Sequence, residues 1–63
     1  MIVPLVDSVT GTPVHVNPRY VLSLRPDPMD PDHITLLKLN DGESLRVRGD
    51  LEQVAKKFAD LPS

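Results

Sequence analysis

Acid–base or nucleophilic catalysis needs at least two groups that can be brought within hydrogen-bond reach. This chain of 63 residues holds few that qualify. His15 and His33 are its only histidines and its candidate general bases. The hydroxyls of Ser8, Thr10, Thr12, Ser23, Thr35, Ser44 and Ser63 are scattered, and none falls in a strand–turn–helix elbow of the kind that presents a nucleophile. Each histidine sits at a strand edge or end, where it reads as an exposed polar residue opposite a buried valine or isoleucine. Gly11, Gly42 and Gly49 are each isolated at a turn, so there is no glycine-rich loop to cradle a phosphate. The expectation is a protein that is not an enzyme and takes no cofactor.

Metal and polyanion binding are the other chemistries to weigh. Asp27, Asp30 and Asp32 alternate with prolines, but a calcium loop also needs a central glycine and a terminal bidentate glutamate, and both are missing. With 0 cysteines, thiolate metal sites and disulfides are excluded as well. The acidic stretch therefore reads as a solvated loop. Among the cations, Arg46 and Arg48 project from one strand face, the hairpin partner strand brings Lys38 beside them, and Arg19 and Arg25 flank the preceding strand. Together they suit phosphate contacts, and a small nucleic-acid-binding regulator with an Sm-like or SH3-like barrel is the alternative reading. Against it, no aromatic residue interleaves with them to stack bases, and the formal net charge is -2. Pairing of Arg46 and Arg48 with acids, across strands or between subunits, competes with that role.

Short apolar runs punctuated by turn residues must position these groups, and their period is that of strands. Strands are expected near residues 2–6, 13–16, 20–25, 33–39 and 43–48. Pro4 marks the first as an edge strand or an irregular lead-in, because proline donates nothing to a ladder. Val14 and Val16 share one face of the second, with His15 on the other. Asn17-Pro18 starts a turn, after which Tyr20, Leu22 and Leu24 are expected on the inner face of the third strand. Residues 26–32, with 3 prolines and 3 aspartates between Pro26 and Asp32, read as an extended acidic loop facing solvent. In the fourth strand Ile34 and Leu36 face one way and Leu37 and Leu39 the other, so either both faces are covered or a bulge lies near Leu36-Leu37. Asp41-Gly42 reads as a two-residue hairpin turn, and the fifth strand then places Leu45 and Val47 inward.

A helix is expected near residues 50–60. Asp50 and Gln53 match a capping box, and Leu51, Val54, Ala55, Phe58 and Ala59 form one apolar stripe. Lys56 and Lys57 fall near its C-terminal end, where positive charge is favoured, and Pro62 stops it. The fold class is thus α+β, mainly β: a small antiparallel sheet or open barrel of about five strands followed by one C-terminal helix, forming a single domain.

A domain of this size buries only about 60% of its unfolded surface, and no staple adds to its core. Apolar residues on both faces, Ile2 and Leu5 in the first run and Leu36 and Leu37 in the fourth strand, then call for a partner, and a homo-oligomer is expected. The shortness of the apolar runs and the lack of a basic start and cleavage site in Met1–Thr10 point to a soluble cytoplasmic protein without membrane insertion.

Three stretches carry a resemblance: Val16-Asn17-Pro18-Arg19-Tyr20-Val21-Leu22-Ser23-Leu24, then Ile34 through Arg48 with its Asn40-Asp41-Gly42-Glu43 hairpin, then Asp50 through Phe58. They are similar to the small flagellar proteins of the FlbD/SwrD type. Asn17, Ile34, Thr35, Leu37, Gly42, Val47, Glu52 and Val54 stand at the family's turn, hairpin and helix positions. The amino-terminal strand and the longer proline–aspartate loop depart from the family pattern. What the resemblance implies is a non-enzymatic accessory protein that acts through contacts, with no catalytic residue to carry over.

Overall fold

The computed structural model describes residues 2–59. Five strands and one helix follow in the order β1 (Val3–Val6), β2 (Pro13–Val16), β3 (Val21–Pro26), β4 (Ile34–Leu39), β5 (Ser44–Arg48) and α1 (Leu51–Ala59). Every expected strand is present, with its ends displaced by no more than a residue, and the class is α+β, mainly β. All pairings are antiparallel: β1 with β2 in one sheet, and β3, β4 and β5 in that order in the second. The two sheets join where Asp7 bridges Val47 and the Ser8 amide donates to the Arg46 carbonyl at 2.9 Å. Pro62 lies outside the described residues.

Six buried side chains make the core: Val3, Leu5, Val16, Leu37, Val47 and Val54. Val14, Val21, Leu24, Leu45 and Phe58 pack against it. The strand period explains the choice, since Val3 and Leu5 point inward while Pro4 stands exposed opposite His15. On β4 the inward row is Thr35, Leu37 and Leu39, and it runs against β5 without a register shift. Buried Thr35 is tolerated because its Oγ1 donates to the Gly49 carbonyl at 2.9 Å, tying β4 to the entrance of α1.

Four expectations need correction. The register irregularity lies in β3, between Val21 and Ser23, and not near Leu36-Leu37. This bulge puts Val21 and Leu24 against the core and leaves Leu22 66% exposed, while Tyr20 closes a 3-10 turn (Pro18–Tyr20) and is 55% exposed. One extra residue on a strand reverses which side chains face inward. Tyr20 and Leu22 are therefore not on the inner face.

Secondly, the β4–β5 hairpin has three loop residues rather than two. Leu39 N donates to Glu43 O at 2.8 Å and Gly42 N to Leu39 O at 3.1 Å. Among the described residues no non-glycine φ is positive, so Asn40-Asp41 form a type I turn and Gly42, at φ +90°, follows as the bulge residue. Thirdly, the 26–32 stretch is not extended. Asp30 N donates to Asp27 O at 3.2 Å, Ile34 N to Asp30 O at 3.0 Å and Asp27 N to Ile34 O at 3.0 Å, which closes a tight double turn. Lastly, Leu5 and Leu37, 3% and 0% exposed, are spent on the chain's own core and offer nothing to another copy.

Candidate functional site

The outer face of the three-stranded sheet gathers most of the cations singled out above. Cross-strand register aligns Ser23, Lys38 and Ser44 in one row and Arg25, Leu36 and Arg46 in the next, with Ile34 and Arg48 beyond them. Alternation along the strands points all of these away from the core. The bulge adds Leu22 at the margin. Leu22, Ser23, Arg25, Leu36, Lys38 and Ser44 line a groove of about 430 Å³, its floor aliphatic and its rim carrying Arg25 and Lys38. Among the described residues neither cation forms an ion pair.

Arg46 is committed elsewhere. Its Nη2 donates to Asp27 Oδ2 at 2.9 Å, and the Asp27 side chain is only 5% exposed against 41% for Arg46. A carboxylate so buried needs a charged donor, and this pair anchors the 27–33 loop to β5. Arg46 Nε is buried without a hydrogen-bond partner, as is Ser8 Oγ on the β1–β2 loop. Arg48 turns toward the β1–β2 loop, its Nη2 3.3 Å from where a Cβ on Gly11 would stand. Arg19, on the 3-10 turn, is exposed and apart from the sheet face. Of the self-association candidates, Ile2 is 59% exposed and Leu36 half-buried in the groove floor.

A second concavity of about 500 Å³ lies at the far end of β4, where Ser8, Asp30, Asp32, His33, Arg48 and Asp50 converge. His33 Nδ1 lies 2.9 Å from Asp30 Oδ1. A carboxylate oxygen only accepts, so Nδ1 carries the proton. The Asp30 hydrogen bond, then the negative charges of Asp30, Asp32 and Asp50, hold the imidazole pKa above its ordinary value of 6.5. This is an oriented and basic histidine, but its side chain is 79% exposed and Ser8 Oγ has no hydrogen-bond partner, so no nucleophile is bonded to it. Asp7, at the β1–β2 turn, has its pKa lowered by the amides of Thr10 and Val9 and acts as a turn anchor. Among the described residues no group of three His, Cys, Asp or Glu side chains is placed to hold a metal ion. No helix among them is long and apolar enough to cross a membrane.

Sequence reasoning found Arg25, Leu36 and Lys38 but missed Leu22, whose exposure depends on a bulge set by pairing with β4. It also missed Asp27, which follows β3 and reaches Arg46 on β5 across the intervening β4. Comparisons of the chain with protein-family models, with curated proteins and with solved structures returned no match.

Proposed function

We propose that this protein is a non-enzymatic interaction module that associates with itself and acts through protein contacts. One observation carries the reading: the outer face of the three-stranded sheet presents a groove with Leu22, 66% exposed, and half-buried Leu36 beside the cations Arg25 and Lys38. An apolar floor with a charged rim is the anatomy of a contact surface rather than of a reaction site. The likeness to FlbD/SwrD-type accessory proteins supports a role of the same kind. Light scattering across the micromolar range tests it. The expected result is a mass above the 7.0 kDa of one chain that rises with concentration. A monodisperse single-chain mass at high micromolar protein overturns the reading.

Nucleic-acid binding is the second reading, favoured by the alignment of Arg25, Lys38, Arg46 and Arg48 on one sheet face. The Asp27–Arg46 pair and the lack of any aromatic residue on β3, β4 or β5 weigh against it. Phosphate contacts must weaken steeply with salt. Fluorescence anisotropy with random-sequence RNA and DNA at low salt is expected to show no binding, and a strongly salt-dependent complex would favour this second reading.

A further inference from the structure

The groove has a matching projection on the same chain. The loop after β3 presents Met29, 85% exposed, flanked by the carboxylates of Asp30 and Asp32. Met29 is thus an apolar knob beside two carboxylates, of which Asp30 also holds His33 and Asp32 is exposed, whereas the groove sets Leu22, Leu36 and two serines beside the cations Arg25 and Lys38. Arg46 pairs with Asp27 and Arg48 lies in the cleft with Asp30, Asp32 and Asp50, so Arg25 and Lys38 are the two cations that the groove itself presents without an ion pair among the described residues.

The knob is also held in place. Three backbone hydrogen bonds, Asp30 N to Asp27 O, Ile34 N to Asp30 O and Asp27 N to Ile34 O, fix its turns, and the buried Asp27–Arg46 pair fixes its base. A projection already ordered loses little entropy on docking. Its conformation therefore suits binding, and the chain's own core makes no use of Met29.

We propose that the occupant of the groove is the 27–32 loop of a second copy, with Met29 against Leu22 and Leu36 and with Asp30 and Asp32 facing Arg25 and Lys38. Knob and groove both belong to the β3–β4 hairpin, so a two-fold axis across two hairpins lets each copy give its knob and receive the other's. The contact is then made twice and closes as a dimer. This rests on the self-association reading above and specifies its surface.

Reversed charges test it. Arg25→Glu/Lys38→Glu makes the groove acidic and leaves the knob acidic; Met29→Lys/Asp32→Lys makes the knob basic and leaves the groove basic. All four residues are exposed, so both variants should unfold at temperatures close to the parent's. Each variant alone should dimerise at least about tenfold more weakly, since like charges now face each other. An equimolar mixture should recover dimers, and native mass spectrometry should find them to be heterodimers. Leu22→Ser, which leaves every charge in place, should weaken dimerisation as well.

A parent that associates while the variants associate equally well, or a mixture that recovers nothing, overturns the knob-and-groove contact and leaves self-association standing. A parent that stays monomeric at high micromolar protein overturns both. Binding of a single-stranded RNA probe by a monomeric parent, lost in Arg25→Glu/Lys38→Glu, would reassign the groove to nucleic acid.

Discussion

Gly42 sits at φ +90°, and a Cβ added there would meet nothing within 4 Å. Substitution is therefore opposed by the backbone alone, which separates this position from ones where a clash confounds the result. Gly42→Val should destabilise the fold by about 2 kcal/mol, because a β-branched residue is forced into the left-handed region. Thermal unfolding reads the effect, and an unchanged midpoint would mean that the turn is not the type I turn plus glycine bulge described. His33 answers to pH instead. Its pKa is raised above 6.5, chiefly by the hydrogen bond to Asp30. A raised value means that the protonated imidazole favours the folded state. That contribution is complete below the unfolded value near 6.5 and disappears as pH climbs through the folded value. Asp32, Asp50 and the cation Arg48 face the same cleft. In Asp30→Asn the His33 midpoint, followed by proton NMR, should fall back toward 6.5. A midpoint that does not move would remove Asp30 as the cause.

At the scale of elements, what could be read from the chain was what is decided locally. Asp50 and Gln53 lie three residues apart, and the structure pairs them reciprocally: Gln53 N donates to Asp50 Oδ1 at 2.8 Å and Asp50 N to Gln53 Oε1 at 3.2 Å. Asp50→Ala should cost about 1 kcal/mol, and chemical denaturation that shows no loss would demote the cap. The alternation of β5 was equally legible, since Leu45 and Val47 inward follow from strand period. The face of Leu22 was not legible, because the bulge that turns it outward arises from pairing between Val21–Ser23 and Leu39–Lys38. Nor was Asp27, which meets Arg46 only because β4 sets β3 and β5 at matching heights. Arg46→Ala strands a carboxylate that is 5% exposed, while the 41% exposure of the guanidinium keeps the loss below that of a fully buried pair. A loss of about 2 kcal/mol is expected. A cycle with Asp27→Ala and the double variant should show the two losses to be strongly non-additive. Simple additivity would mean that the pair does not anchor the loop.

For the whole molecule the decisive quantity is how little the core contains. Six buried aliphatic side chains, with Phe58 at their margin, must hold together a chain that leaves Leu22 and Met29 66% and 85% exposed. Domains of this size gain stability readily from anything that binds only the folded form. If two copies exchange their 27–32 loops, folding is linked to association, and the unfolding midpoint must depend on protein concentration. For a dimer well above its dissociation constant, a hundredfold rise in concentration adds about 1.4 kcal/mol per protomer. In a domain this small that moves the midpoint upward by roughly 5–10 °C. The Arg25→Glu/Lys38→Glu variant provides the internal control, since its fold keeps the same core but its groove repels the knob. Its midpoint should stay flat over the same range. Parallel upward shifts in parent and variant would place the stabilising contact elsewhere on the surface. A flat midpoint in both, at concentrations where light scattering finds a dimer, would mean that the contact joins two molecules without supporting the fold of either.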